Sequence, residues 1–347
     1  MQQQHATKNT SALSVYLEPL NAWLLDDTVS EISINEPQIA YIERGGRITR
    51  EELPTLTGYF LQGLANLIAR FSDQRLSEQE PLLSARLPAG HRIQIVMPPA
   101  SENGKILIAI RKQVIRDLSL HDYEKMGAFQ RIKPRYIHSH RSTMTLDEEE
   151  QSLSQLFHQK NYLAFLKAAI GAKKNILISG GTSTGKTTFL NACLKEIPLD
   201  ERIITLEDVR EVEIPHLNKC HLLASKGEQG LSKVAMPQLV EVCLRLRPDR
   251  IIMGEMRGAE AADFLNATAT GHDGSVASIH ASHPAMAFMR LVHMIKLNPA
   301  MNMNREDILE DLHNIIDIVV QIKRVREDNV YKRYISEIYS AFNYLSC

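Results

Sequence analysis

Residues Gly180-Gly181-Thr182-Ser183-Thr184-Gly185-Lys186-Thr187 carry the glycine, lysine and hydroxyl spacing that holds a polyphosphate. The glycines let backbone N–H groups converge on the phosphates. The helix that follows aims the positive end of its dipole at the same point. In this pattern Lys186 neutralises the β- and γ-phosphates, the Thr187 hydroxyl ligates Mg²⁺, and Thr188 can donate to the α-phosphate. The flanks suit the loop. Asn175-Ile176-Leu177-Ile178 has strand character, and Thr188 to Leu194 places Phe189, Leu190, Cys193 and Leu194 at helical spacing. The stretch therefore implies a bound nucleoside triphosphate with its magnesium.

Cutting that triphosphate needs carboxylates that orient water and hold the metal's hydration shell. Two acidic sites follow apolar runs: Thr205-Leu206-Glu207-Asp208, and Ile251-Ile252-Met253-Gly254-Glu255. Either glutamate suits either role. Gly271-His272-Asp273-Gly274-Ser275 and Ser278-Ile279-His280-Ala281 surround a later strand, where a histidine can bond the γ-phosphate or relay its loss. Transferred charge also needs cations beyond Lys186. Arg245, Arg247, Arg250 and Arg257 cluster in sequence around the second acidic strand. Arg92 and Arg111 end amino-terminal strands, and read as surface groups unless that part of the chain closes over the nucleotide.

The elements that must position these residues are legible in outline. Residues 1–137 read as an amino-terminal α/β domain, 138–152 as a polar linker running into a helix, and 153–347 as the nucleotide-binding domain. In the first part, Glu31 to Ile34 and Ile39 to Glu43 alternate as strands, and Arg44-Gly45-Gly46-Arg47 supplies a hairpin turn. Gly58 to Phe71 has helical spacing. Arg92 to Val96 and Lys105 to Arg111 form a second hairpin through Asn103-Gly104, and Ser119 to Asp122 resembles a capping box. In the second part strands and helices alternate, as in a sheet with ligands at its strand ends. Tyr334 to Tyr339 reads as one last strand. His138 and His140 in the linker are polar surface rather than metal ligands.

Bulk properties exclude several classes. The 347 residues carry a net charge of −1 and 6% aromatics, with no basic run, which argues against direct handling of nucleic acid. Cys193, Cys220, Cys243 and Cys347 are scattered without metal or disulfide spacing, as in a reduced, cytoplasmic protein. No signal-like segment or membrane-length apolar run appears, so any membrane contact is expected to be peripheral.

Taken in order, these residues resemble the bacterial secretion (traffic) ATPases, most closely the cytoplasmic ATPase of type IV secretion and conjugation systems. The likeness rests on Gly180–Thr187, on Ile204 to Glu211, on Arg247 to Arg257 and on Thr270 to Ala281, with support from Arg92 to Val96 and Ile108 to Lys112. The resemblance implies a RecA-like carboxyl-terminal domain behind a smaller α/β domain, assembled as a homo-hexamer with ATP between the two domains of a subunit. It implies Glu207 or Glu255 as the water-activating carboxylate, the other helping to hold the Mg²⁺ shell, and His280 as a sensor. It also implies that Arg92 and Arg111 reach the phosphates. The implied output is export of protein or DNA–protein substrates, or pilus building, alongside inner-membrane components of the secretion machine. The alternatives are a type II secretion or pilus-retraction motor and a direct nucleic-acid translocase. Compactness argues against the pilus-extension branch. Ser183 departs from the glycine of many relatives, at a position where positive φ is costly.

Overall fold

The computed structural model describes residues 12–112, 117–137, 146–224, 234–327 and 330–342. The linker histidines His138 and His140 lie outside them. The chain divides into two units: residues 1–115 with 227–233 and 326–331, and the remainder.

The first unit is built on a six-stranded antiparallel sheet. Its strands are β1 (Val29–Glu36), β2 (Ile39–Arg44), β3 (Arg47–Glu52), β4 (Leu82–Arg86), β5 (Arg92–Val96) and β6 (Leu107–Arg111), in the order β3-β2-β1-β6-β5-β4. Alternation decides which face is covered. Ile32, Ile34, Ile42, Ile93, Ile95, Ile108 and Ile110 are buried with Leu61, Leu64 and Ile68 of helix Gly58–Phe71, while the residues between them stay polar or half-exposed. That helix starts where its sequence says it should, with the Thr57 side chain accepting from the Phe60 N–H at 3.2 Å. The expected Gly45-Gly46 turn joins β2 to β3, with Arg44 opposite Arg47.

The second unit holds an eight-stranded sheet. Its strands are β7 (Lys133–Tyr136), β8 (Ile176–Gly180), β9 (Ile203–Glu207), β10 (Lys219–Leu223), β11 (Arg250–Met256), β12 (Val276–His280), β13 (Ile318–Glu327) and β14 (Val330–Ser340). They lie in the order β10-β9-β11-β12-β8-β13-β14-β7. The pairings from β10 through to β13 are parallel. A parallel sheet needs cover on both faces, and the sequence supplies it: β8 and β9 are buried at every position. On one face Leu177, Leu206, Met253 and Ile279 pack with helices Met236–Arg245, Glu260–Ala269, Pro284–Ile295 and Arg305–Ile315. On the other Ile176, Ile178, Ile252 and Val320 pack with helices Glu148–His158, Tyr162–Gly171 and Lys186–Leu194.

The boundary falls earlier than the expected break at 137. Contacts divide the chain between residues 115 and 116, because β7 pairs in parallel with β14 and helix Leu120–Lys125 buries Leu120 in the second unit's core. Residues 148–152 of the expected linker open a helix capped by Asp147, whose carboxylate accepts from the Glu150 N–H at 2.8 Å.

Candidate functional site

Parallel strands bring their carboxyl ends to one edge, so β8, β9, β11 and β12 deliver their terminal residues side by side. Gly180 ends β8 opposite His280 of β12, and Glu207 ends β9. A register shift in β11 after Met253 re-aims Gly254 and Glu255 at the same edge.

The phosphate loop is folded tightly. A Cβ on Gly180 would lie 2.6 Å from Thr184 Oγ1 and 3.0 Å from the Ile322 carbonyl oxygen, so only glycine fits. Gly185 turns into helix Lys186–Leu194 with φ 89°. Ser183 adopts a left-handed backbone at φ 59° despite being serine, a conformation that costs a non-glycine residue about 1 kcal/mol. Arg333 of β14 donates from Nε to the Ser183 carbonyl at 3.2 Å and braces that turn. Lys186 is only 8% exposed, and its Nζ donates to the Gly180 and Gly181 carbonyls at 3.1 and 3.3 Å. The Thr184 hydroxyl donates to the Gly181 carbonyl at 2.9 Å.

Beside the loop lies a charged cluster. The Arg257 guanidinium bridges two strand ends, with Nη2 2.6 Å from Glu255 and Nη1 2.7 Å from Asp208. Glu255 also lies 3.5 Å from His280 Nε2. Burial raises the Glu255 pKa, but the hydrogen bond and charge of Arg257, with Lys186 and His280, outweigh it and hold the carboxyl below its usual range. For His280, burial and then the Lys186 charge lower the pKa, with Glu255 opposing, which favours a neutral ring.

Glu207 is placed differently. It is 2% exposed, its Oε1 accepts from the Glu211 and Val212 N–H groups at 2.6 and 2.7 Å, and its Oε2 accepts from the Thr205 hydroxyl at 3.2 Å. Burial pushes its pKa up, with the two backbone amides pulling against the shift. Gly254 makes room for it, since a Cβ there would lie 3.0 Å from Glu207 Cγ.

One residue in the first acidic box had no role assigned from sequence. Glu211 Oε2 accepts from the Thr187 hydroxyl at 3.2 Å, and Asn191 ties the same loop to the phosphate-loop helix through the Glu211 carbonyl and the Glu213 N–H, both at 3.1 Å. A hydroxyl at a helix start with a carboxylate beside it fits Mg²⁺, which keeps most of its waters and takes few protein ligands. The signal was present in the acidic spacing from Glu207 to Glu211, but its partner lies 24 residues away.

Other expected residues part company. Arg250 opens β11 and Arg257 follows its end, about 20 Å apart at strand rise, so Arg250 does not join the phosphate-side cations. Arg245 pairs with Glu241 on an exposed helix face. His272 bonds the Ala267 carbonyl at the end of helix Glu260–Ala269, as an ordinary cap. In the first unit Arg92 and Arg111 are directly opposed across β5 and β6, with Arg86 opposite Arg92 and Glu31 opposite Arg111.

The comparisons with known proteins agree with this geometry. The family model described as "Type II/IV secretion system protein" matches residues 17–326. The type IV secretion system protein VirB11 of Brucella suis is 37% identical over 338 residues, which cover 96% of this chain and 91% of that protein. The type IV secretion system protein PtlH of Bordetella pertussis is 36% identical over 330 residues, covering 92% of each. Among solved structures, the Brucella suis VirB11 ATPase in complex with sulphate matches with TM-score 0.52 and 37% identity, over 94% of this chain and 97% of that one. The pilus retraction motor PilT with bound ADP matches with TM-score 0.56 at 18% identity, over 93% of this chain and 82% of that one, which supports the fold alone. The chain belongs to the type II/IV secretion system protein family.

Proposed function

We infer that this chain is an ATPase energising a type IV secretion system, and that it hydrolyses ATP at the carboxyl edge of the parallel sheet. The observation that carries this reading is the meeting of Glu255, His280 and Arg257 beside Lys186 and the phosphate loop. The relatives named as VirB11 and PtlH type IV secretion proteins favour that system over a type II or retraction motor.

Each side chain then has a task. Residues Gly180 to Thr187 hold the phosphates, with Thr188 beside the α-phosphate, and Lys186 leaves its carbonyl partners to neutralise the β- and γ-groups. Glu255, held ionised, orients water and accepts its proton as the water oxygen bonds the γ-phosphorus and the bond to the β–γ bridging oxygen breaks. Thr187, with Glu211 and Glu255 through water, would hold Mg²⁺, which would supply charge neutralisation to the phosphates. His280, near neutral, is suited to report γ-phosphate loss by a hydrogen bond. Glu207, with both oxygens engaged, serves better as an anchor than as the base. Arg92 and Arg111 are assigned as phosphate-binding cations.

Assembly as a homo-hexamer beside inner-membrane components, peripheral at the cytoplasmic face, completes the proposal. Among the described residues no helix is long and apolar enough to cross a membrane. The test is ATP turnover by the wild type and Lys186→Ala, with mass measured in solution with and without ATP. Turnover lost in the variant, on a particle near six subunits, is expected. Turnover that persists without Lys186, or a monomer under all conditions, would overturn the reading.

A further inference from the structure

A chain of polar groups runs behind Glu207, and donor chemistry fixes its direction. Arg210 Nη2 lies 3.0 Å from His221 Nε2, His221 Nδ1 lies 2.7 Å from Thr205 Oγ1, and Thr205 Oγ1 lies 3.2 Å from Glu207 Oε2. A guanidinium has donors and no acceptor, so Nε2 of His221 must present its lone pair. The proton of the neutral ring is then on Nδ1 and is donated to the Thr205 oxygen. That leaves the Thr205 hydroxyl proton for Glu207. Every donor in the series has an acceptor in one orientation only.

The surroundings keep the ring in that form. His221 belongs to β10, whose Cys220 and Leu222 pack against the core on the opposite face. The ring faces the loop that carries Arg210 and Glu213, and burial followed by the Arg210 and Lys219 charges lowers its pKa, with Glu213 opposing. A second ring proton would set an N–H against the guanidinium. Arg210 is itself held by Glu213 at 3.3 Å and by the Val212 carbonyl.

We propose that Arg210, His221 and Thr205 form a one-way hydrogen-bond relay whose task is to position Glu207, and through the Glu211 and Val212 amides to seat the Glu211 carboxylate against Thr187. This rests on the reading of Thr187 and Glu211 as the metal side of the nucleotide site. The three are positioning residues, and their effect reaches the phosphate loop through Glu207. Asn191 and the buried Val212 hold this loop from the other side, and loss of the two Glu207 amide bonds would let Glu211 drift from Thr187. The chemical step would suffer rather than nucleotide capture, which the phosphate loop performs.

The experiment is steady-state ATP turnover by full-length Thr205→Val, Thr205→Ser, His221→Gln and the Thr205→Val/His221→Gln double variant, with Lys186→Ala as control and thermal midpoints recorded for each. Thr205→Val keeps the volume and removes the hydroxyl. Its kcat is expected to fall about tenfold with KM for ATP little changed, the scale of one lost positioning hydrogen bond. Thr205→Ser restores kcat, His221→Gln falls comparably, and the double variant is no worse than the more impaired single one, because one relay is broken once. Should Thr205→Val lower the thermal midpoint too far to assay, the half-buried His221→Gln beside Thr205→Ser decides: a slow His221→Gln at unchanged KM supports the relay, and wild-type turnover by it overturns the relay. Additive losses, a raised KM at constant kcat, or a Thr205→Ser variant as slow as Thr205→Val would overturn the relay. Turnover surviving in Lys186→Ala would instead refute the nucleotide-site reading beneath it.

Discussion

Strand β11 carries an arginine at each end, and the two are used in opposite ways. Arg250, at its start, is fully buried and committed to fixed partners: Nε and Nη2 hold the two oxygens of Glu201 at 2.7 and 2.9 Å, and Nη1 donates to the Ile170 carbonyl at 2.6 Å. Arg257, just past its end, is 39% exposed and shared between Asp208 and Glu255, carboxylates delivered by two different strands. A bidentate pair on one buried partner has a single geometry. A cation bridging two carboxylates at a solvent-reaching edge can exchange either for a phosphate oxygen. One end of the strand fixes the fold and the other leaves charge available for chemistry.

The comparison predicts where damage will appear. Arg250→Ala leaves the part-buried Glu201 with the more distant Lys173, 3.8 Å away, and should cost about 3 kcal/mol of stability in denaturant unfolding, with turnover per folded molecule retained. Arg257→Gln should leave stability within about 1 kcal/mol, as expected for a part-exposed pair, while slowing turnover roughly 10- to 100-fold. If Arg250→Ala lost activity without losing stability, the division between the two ends would be wrong.

A smaller effect separates the ends by pH. The folded-state pKa values of His221 and His280 lie below the ordinary 6.5, for burial first and neighbouring cations second, so the unfolded chain binds more protons than the folded one below that value. Their contribution is present above pH 6.5 and declines as pH falls through that window. Glu201 is lowered from 4.5 by the Arg250 hydrogen bond, against burial, so its contribution is lost only on falling below that value. Glu255 is also held below that value, so thermal midpoints should drop in two stages on acidification, and Arg250→Ala should shrink the lower one. A single stage, untouched by that substitution, would contradict the assignment.

Much of this was readable from residue order, for physical reasons. The helix Gly58–Phe71 follows from apolar spacing and the Thr57 cap, and β8 with its loop and helix follows from a glycine-lysine pattern confined to adjacent residues. What escaped depends on the chain returning from a distance. The parallel pairing of β7 with β14 joins segments some 200 residues apart, so Lys133–Tyr136 read as the end of the first domain. The contact of Glu211 with Thr187 needs the loop after β9 to fold back on the phosphate-loop helix. Arg250 sat near Glu255 in sequence and looked like its companion. An extended strand separates them, and only the sheet shows which end each residue occupies.

The most direct measurement is ATP binding and turnover by Glu255→Gln beside Glu207→Gln. If Glu255 orients the attacking water, Glu255→Gln should bind ATP as the wild type does and turn it over at least about 100-fold more slowly, with its thermal midpoint unchanged. Glu207→Gln should lose thermal stability, since both its oxygens are structural acceptors. Wild-type turnover by Glu255→Gln would contradict the account at its centre.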